Sequence, residues 1–235
     1  MSKVTSEYVE IKGDDGATML AWLARPSDQQ AKRGLLVFQE AFGVNPHIRN
    51  VTERFAGLGF AAIAPELFHR TAPPKWEGGY DNFPAVMPHM QALTESGLED
   101  DVRATYNWLK NRVEVGDAIA CVGYCMGGRT SFLANSVVPL KAAISYYGGG
   151  IPPLLARTSK LAAPMLLFWG ELDQHIPAEQ RSQVTKAMRE ANKRYVEVVF
   201  SNADHGFFCD ARKSYEPGAA RLASDITRSF LDARL

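Results

Sequence analysis

The fold is decided by the stretch Gly123-Tyr124-Cys125-Met126-Gly127, which follows the apolar run 118–122 and opens a segment with a helical pattern. Gly-x-nucleophile-x-Gly between a strand and a helix is the sequence form of a nucleophile elbow, a sharp turn that exposes the central side chain above a sheet. The flanking glycines keep Cβ atoms out of the crowded space beside the turn. Most such elbows have serine at the centre, so Cys125 predicts a thiol nucleophile on a fold that usually uses serine.

The composition indicates a globular chain with neither a nucleic-acid nor a membrane partner. The 235 residues include 26 Lys and Arg against 26 Asp and Glu. This balance, without any basic block, argues against binding to nucleic acid or to an anionic membrane. The first seven residues lack the apolar core of a signal peptide, and three cysteines do not suggest a disulfide framework. We therefore expect a cytoplasmic protein whose residues 1–235 form one domain.

Apolar patterning alternates between short strand-like runs and segments of helical spacing. The predicted strands are 9–11, 18–23, 34–39, 60–64, 118–122, 142–147, 164–169 and 195–200. The predicted helices are 46–58, 98–113, a segment from the elbow to about residue 133, 178–192 and 219–231. This alternation predicts an α/β fold with a mostly parallel sheet and helices on both faces. In such sheets functional sites form at the carboxyl ends of the strands.

Two segments between these elements have the composition of turns or loops. Asp14-Asp15-Gly16 lies between the first two predicted strands and predicts a hairpin. Residues 66–97 are rich in proline, glycine and aromatic residues. A long stretch of this kind inside a compact domain is more often a functional lid than a linker, so we expect a lid or insert loop here.

Candidate partners for the thiol follow the later strands. Asp173 comes just after the strand 164–169, and His205 comes just after the strand 195–200. The chain order of nucleophile, acid and histidine is the order expected of an α/β-hydrolase. In such a triad the histidine activates the nucleophile and the aspartate orients the histidine. The alternatives are that Cys125 is a buried structural cysteine and that Asp173 only caps the helix that follows.

An oxyanion hole needs two backbone N–H groups near the nucleophile. In this type of fold one belongs to the residue after the nucleophile, here Met126, and the other comes from the loop after the third strand, where Ala41 lies. Glu40 in the same loop needs its own account. Its carboxylate would disfavour a buried thiolate by like-charge repulsion, or it would accept the thiol proton in the resting state. Either way we expect Glu40 to be coupled to Cys125.

Four motifs resemble those of the dienelactone hydrolase family and follow the family's order over nearly the whole chain: Gln39-Glu40-Ala41-Phe42-Gly43-Val44-Asn45, Gly123-Tyr124-Cys125-Met126-Gly127-Gly128, Gly170-Glu171-Leu172-Asp173 and Asp204-His205-Gly206-Phe207. The resemblance implies an α/β-hydrolase fold and a triad of Cys125, His205 and Asp173. It implies that Glu40 pairs with the resting thiol and swings away when substrate binds, so that the thiolate forms only then. Members open the lactone ring of dienelactone to give maleylacetate, and neither a metal nor an organic cofactor is implied.

The chain departs from the family pattern at the substrate carboxylate. Two arginines hold this group in the family, one after the fourth strand and one four residues after the catalytic histidine. Here no arginine lies between Arg70 and Arg103, and Cys209 stands four residues after the histidine. Lys75 and Arg212 are candidates to replace the missing arginines, but neither matches a motif position. The triad residues therefore match the family pattern, whereas the positions that hold the carboxylate of dienelactone do not.

Together the residues and the resemblance predict a cysteine-dependent hydrolase of a lactone or a small carboxylic ester, of the carboxymethylenebutenolidase type. Phe42, Tyr146 and Phe207 lie near strand ends or motif positions and are candidates for lining the pocket, although single aromatics there are as often core residues. One alternative is a general carboxylesterase or thioesterase without a preference for lactones. Another is a hydrolase-fold protein that binds a small ligand without turnover.

Overall fold

The structure, a computed structural model, describes residues 3–13, 15–112 and 115–235. It falls into two compact units, residues 1–120 and residues 121–235. Asp14 of the predicted hairpin, Val113 at the end of a predicted helix, and Met1 and Ser2 of the N-terminal segment lie outside the described residues. In the part of the chain that the structure describes, none of the helices combines the length and apolar character needed to cross a membrane.

The first unit contains four strands and three helices among its described residues, and their bounds follow. The strands are β1 (Val4–Lys12), β2 (Thr18–Pro26), β3 (Arg33–Phe38) and β4 (Phe60–Pro65), and the helices are α1 (Pro46–Gly57), α2 (Phe83–Ala92) and α3 (Glu95–Arg112). The strand order is β1-β2-β4-β3. β2 is antiparallel to β1 and β4, whereas β3 and β4 are parallel. β4 is buried along its whole length and β3 nearly so, as expected for parallel strands with continuous apolar runs.

The strand β1 is longer than the predicted strand 9–11. It pairs with β2 along all nine residues, from Val4 opposite Pro26 to Lys12 opposite Thr18. Most of its side chains are exposed. Backbone pairing rather than an apolar face therefore defines β1, and a search for hydrophobic patterning detects only its end.

The helix α2 was not predicted, and it occupies part of the expected lid. Pro84 lies in its first turn, where a missing N–H costs little because that group has no intrahelical partner. Val86 is fully buried in a cluster with Ala41 and Phe42, and Trp76 packs against the same cluster. Tertiary packing thus stabilises a helix whose prolines suggest a loop, and the expected lid role of residues 66–97 stays a prediction.

The second unit contains parallel strands joined by helices. The strands are β5 (Ile119–Tyr124), which begins in the last two residues of the first unit, β6 (Ala143–Tyr146), β7 (Met165–Gly170) and β8 (Tyr195–Phe200). The helices are α4 (Met126–Val137), α5 (Ala178–Glu190), α6 (Pro217–Asp232) and an unpredicted 3₁₀ helix (Pro152–Lys160). The strand order is β5-β6-β7-β8, and each described neighbouring pair is parallel.

The register of these strands places their carboxyl ends side by side. Tyr124 pairs with Tyr146, Tyr146 with Phe168, and Gly170 with Phe200. The residues that follow each strand therefore emerge at one edge of the sheet. Four of the six strand pairs described within the units are parallel, and strands alternate with helices, so the predicted α/β class is confirmed.

We predict that Gly123→Ala destabilises the protein strongly. A Cβ at Gly123 would overlap the carbonyl group of Gly127, and backbone at a strand-to-helix turn cannot move aside. The expected loss in the free energy of unfolding is about 2 kcal/mol or more, measured by urea denaturation.

Gly149→Ala is the matched control for this test. A Cβ there would meet nothing closer than 3.8 Å, at Ile176. We expect this variant to unfold within about 0.5 kcal/mol of the wild type. Equal unfolding midpoints for the two variants would contradict the close packing that we assign to Gly123.

Candidate active site

Cys125 lies on a strained turn between β5 and α4. Its backbone angles are φ 55° and ψ −117°, a region that residues with a Cβ rarely adopt. Its N–H donates to the carbonyl of Tyr146 at 3.0 Å, and its own carbonyl accepts from the N–H of Gly128 at 2.9 Å. These bonds fix the turn at the carboxyl end of β5, and Cys125 is the N-cap residue of α4.

Close packing of the first turn of α4 against β6 explains a further glycine in the motif. A Cβ at Gly128 would come within 2.6 Å of the Ser145 hydroxyl and 2.7 Å of the Gly148 Cα. Contacts this short are not tolerated, so this position requires glycine. The motif therefore encodes both the turn and the distance between α4 and the neighbouring strand.

The side chains of Cys125, His205 and Asp173 form one chain of polar contacts. The Nε2 atom of His205 lies 3.1 Å from Sγ of Cys125, and its Nδ1 atom lies 2.8 Å from Oδ2 of Asp173. Cys125 is partly exposed, whereas His205 and Asp173 are 9% and 4% exposed. The structure thus brings the three predicted triad residues together within residues 121–235, in the geometry of a nucleophile, a base and an orienting acid.

Asp173 is held by the loop after β7. Its Oδ1 atom accepts from the N–H groups of His175 at 2.8 Å and Ile176 at 3.2 Å. The other oxygen, Oδ2, remains for His205. Asp173 does not cap α5, whose N-cap residue is Pro177. One oxygen of Asp173 instead orders the turn before the helix, and the other contacts the histidine.

His205 is positioned by the loop after β8. Its N–H donates to Oδ1 of Asp204 at 2.6 Å, and the N–H of Leu172 donates to the carbonyl of Ala203 at 3.0 Å, which joins this loop to the loop after β7. Gly206 has φ +79°, and a Cβ there would overlap the guanidinium of Arg212. The positive φ therefore favours glycine after the histidine, and the absence of a side chain leaves room for Arg212.

Burial and polar contacts shift the pKa of His205 in opposite directions. Burial alone lowers its pKa, but the charge of Cys125 and the hydrogen bonds to Asp173 and Cys125 outweigh burial and raise the pKa to about 10. For Asp173, burial raises the pKa, and the hydrogen bond and charge of His205 outweigh it, so that this pKa is lowered. The contacts with Cys125 and Asp173 therefore favour the imidazolium form of His205.

Two of the candidate pocket residues lie in the core of the second unit. The hydroxyl of Tyr146 lies 2.7 Å from Oγ1 of Thr227 and donates to the carbonyl of Ala223 at 3.1 Å, both on α6. Phe207 is fully buried, and its ring contacts those of Tyr147 and Phe200 at 5.3 Å. These contacts favour the alternative that both residues serve packing.

The remaining predicted residues lie in the first unit. Glu40, Ala41 and Phe42 follow β3 and are buried. The amide of Gln39 donates to the carbonyl of Glu40 at 3.2 Å and accepts from the N–H of Leu67 at 3.1 Å. Phe42 packs edge-on against Tyr80 at 4.6 Å. The roles expected of Glu40 and Ala41 toward the thiol stay predictions.

Lys75, a candidate for holding a substrate carboxylate, is engaged within the first unit. Its ammonium lies 4.7 Å from the centre of the Tyr8 ring. The backbone N–H of Lys75 donates to both carboxylate oxygens of the buried Glu66, at 3.0 Å each. These contacts favour a structural role for Lys75.

Two aromatic neighbours of His205 received no specific role from the sequence. The ring of Tyr147, directly after β6, lies 5.2 Å from the ring of His205 at an interplanar angle of 61°. The ring of His175 lies 5.2 Å from it at 76°. The sequence could have indicated a role for Tyr147 through its position directly after a parallel strand, where functional sites form.

Comparison with known proteins gives the family of the chain. The sequence model of the Dienelactone hydrolase family matches residues 19–235. The chain belongs to this family. The resemblance seen in the four motifs and the prediction of a hydrolase are thereby confirmed.

Similar family proteins cover nearly the whole chain. A Synechocystis sp. protein, provisionally named a carboxymethylenebutenolidase, is 34% identical over 225 residues, 91% of each chain. The carboxymethylenebutenolidase of Pseudomonas putida is 27% identical and covers 96% of each chain. A crystal structure from Klebsiella pneumoniae, provisionally named a dienelactone hydrolase, superimposes with a TM-score of 0.88 at 29% identity, over 98% of this chain and 99% of that one. The predicted α/β-hydrolase fold is therefore confirmed.

We predict that Asp173→Asn lowers the pKa of His205 below its value of about 10. The substitution removes the charge that favours the imidazolium and leaves the burial that opposes it, so His205 loses its proton at a lower pH. The measurement is an NMR titration of the His205 Cε1–H signal, assigned with His205→Ala.

Asp204→Asn is the control for this titration. Its side-chain oxygen binds the backbone N–H of His205 rather than the ring. We expect the His205 midpoint to stay near 10 in this variant. An unchanged midpoint in Asp173→Asn would show that Asp173 does not determine the protonation of the ring.

Proposed function

We propose that this member of the dienelactone hydrolase family is a cysteine-dependent hydrolase of a lactone or a small carboxylic ester. The observation that carries the proposal is the contact chain from the Cys125 sulfur through both ring nitrogens of His205 to Asp173. A thiol, an imidazole and a carboxylate in this order serve nucleophilic acyl transfer.

The proposed reaction has two halves. The Cys125 thiolate attacks the substrate carbonyl, the C–O bond to the leaving group breaks, and His205 gives its proton to the departing alkoxide. In a lactone this alkoxide remains attached to the acyl group. A water molecule then attacks the thioester, His205 takes a proton from it, and the thiolate leaves as the carboxylic acid product forms.

The electrostatics of the second unit support a thiolate in this reaction. His205 Nε2 lies 3.1 Å from the sulfur, so an imidazolium there stabilises a thiolate by charge and by a hydrogen bond. Cys125 also precedes the N-terminus of α4, where the helix dipole favours a negative charge. Both effects stabilise the charged nucleophile without a metal ion.

For the oxyanion we propose the backbone N–H groups of Met126 and Ala41. Met126 is the first residue of α4, and the first N–H groups of a helix have no intrahelical partner. Ala41 lies in the loop after β3, where the fold supplies its second donor.

Two candidate functions differ in their substrate class: a lactone hydrolase, and a general carboxylesterase or thioesterase. The name of the Pseudomonas putida relative gives carboxymethylenebutenolidase activity to that protein, which supports a lactone here. A general carboxylesterase or thioesterase is favoured by the residue four positions after His205, because Cys209 there is fully buried and its thiol lacks the positive charge and the paired donors of an arginine. We also propose a cytoplasmic location, which the three free thiols support.

We predict that Cys125→Ala abolishes hydrolysis. Hydrolysis of dienelactone and of p-nitrophenyl acetate is measured for the wild type and for Cys125→Ala. For the substrate that the wild type hydrolyses, we expect kcat/KM to fall on the order of 1000-fold or more in the variant. Cys121→Ala, which removes a buried thiol from β5, retains activity and is the control.

Turnover of the neutral ester alone favours the general esterase. Undiminished turnover in Cys125→Ala contradicts the thiol mechanism, and no turnover in the wild type favours the binding protein.

We further propose that Glu40 couples to the resting thiol, as the motif resemblance implies. Glu40→Gln then removes a negative charge that disfavours the thiolate, so iodoacetamide alkylates Cys125 faster at pH 7. Glu66→Gln, at another buried carboxylate of the first unit, is the control and leaves the rate unchanged. Equal alkylation rates in the wild type and Glu40→Gln would remove Glu40 from the site.

A further inference from the structure

Tyr147 has a backbone conformation that its residue type disfavours. Its φ is +38°, and the only other non-glycine residues with positive φ in the described ranges are Lys75, Cys125 and Asn192. Its side chain is fully buried. A bulky residue rarely adopts this region, and such a conformation persists only where its surroundings enforce it. Strain of this kind indicates that the residue holds neighbouring groups in place.

The backbone around Tyr147 is attached to the nucleophile elbow. The carbonyl of Tyr146 accepts from the N–H of Cys125 at 3.0 Å. On the other side, a Cβ at Gly148 would lie 2.9 Å from the Gly128 carbonyl carbon in the first turn of α4. The N–H of Tyr147 donates to the carbonyl of Phe168 on β7 at 2.8 Å. Residues 146–148 are therefore fixed against the elbow on one side and against β7 on the other.

The side chain of Tyr147 reaches the other member of the nucleophile–base pair. Its ring contacts that of His205 at 5.2 Å, edge to face, and that of Phe207 at 5.3 Å. His175 also contacts His205, but its side chain is exposed. Tyr147 therefore combines a buried contact with the base and a backbone bonded to the turn that presents the nucleophile.

We propose that Tyr147 is a positioning residue that sets the distance between the Cys125 sulfur and His205 Nε2, now 3.1 Å. The strained φ directs the ring onto His205, and the bonds of residues 146–148 tie that ring to the elbow. Without the ring, His205 can turn away from the sulfur, and the contact between Nε2 and Sγ weakens. A misplacement of about 1 Å in such a pair costs on the order of 100-fold in rate. This inference rests on the proposed roles of Cys125 and His205.

The test is a double-mutant cycle read by alkylation of Cys125. Tyr147→Leu, which fills most of the volume without a ring, should slow alkylation by iodoacetamide at pH 7 about 10-fold. In a His205→Ala background the same substitution should change the rate less than about twofold, because a positioning residue acts through the base. An equal effect in both backgrounds indicates a merely structural role and overturns the proposal.

Two further variants isolate the ring contact. Tyr147→Phe keeps the ring, so its alkylation rate should stay within about twofold of the wild type. A loss as large as that of Tyr147→Leu would assign the effect to the hydroxyl and overturn the proposal. Phe200→Leu removes an aromatic neighbour of Phe207 that has no described ring contact with His205, and it should leave alkylation unchanged. Circular dichroism verifies folding, and Tyr147→Met replaces Tyr147→Leu if the latter does not fold.

Ester hydrolysis provides the second readout. With a substrate that the wild type accepts, Tyr147→Leu should lower kcat about 10-fold or more and leave KM within about twofold. A change in KM alone would make Tyr147 a substrate contact and overturn the positioning role. If the wild type hydrolyses no ester, the proposed function fails, but the alkylation cycle still decides whether Tyr147 positions His205.

Discussion

The second unit depends on one constraint, the positive φ at Cys125. A side chain at this turn is tolerated only because glycines surround it: Gly123 leaves room for the Gly127 carbonyl, and Gly128 lets α4 approach Ser145 on β6. The parallel register then brings the ends of β6, β7 and β8 beside the turn. The strain at Cys125 is thus offset by packing and strand pairing elsewhere in the unit.

The chemistry of the site follows from the competition between burial and charge at His205. Burial removes solvation and by itself favours the neutral ring, whereas the sulfur of Cys125 and the carboxylate of Asp173 favour the imidazolium. The partners prevail because each contacts a different ring nitrogen at hydrogen-bonding distance. Geometry therefore controls protonation, and residues that hold the ring, such as Tyr147, influence chemistry without touching substrate.

Much of the fold was predictable because its signals are local. The runs that became β3, β4, β5 and β7 are continuously apolar, and the helix α1 shows its buried face in the spacing of Ile48, Val51 and Phe55. The helix α2 escaped prediction because Pro84 and Pro88 indicate a loop, while the burial of Val86 that stabilises the helix is a tertiary effect. The positive φ of Gly206 and the guanidinium of Arg212 beside it are likewise features that only the tertiary structure shows.

The sequence by itself determined the elbow, the order of Cys125, Asp173 and His205, and the resemblance to a family of hydrolases, because glycine spacing and strand-end positions are written in consecutive residues. The tertiary structure decided which atoms meet: the sulfur with Nε2, Oδ2 with Nδ1, and the Tyr147 ring with the imidazole. It also placed the side chains of Tyr146 and Phe207 in the core of the second unit. The reason is physical, since side-chain direction at a strand end depends on φ and on packing partners far away along the chain.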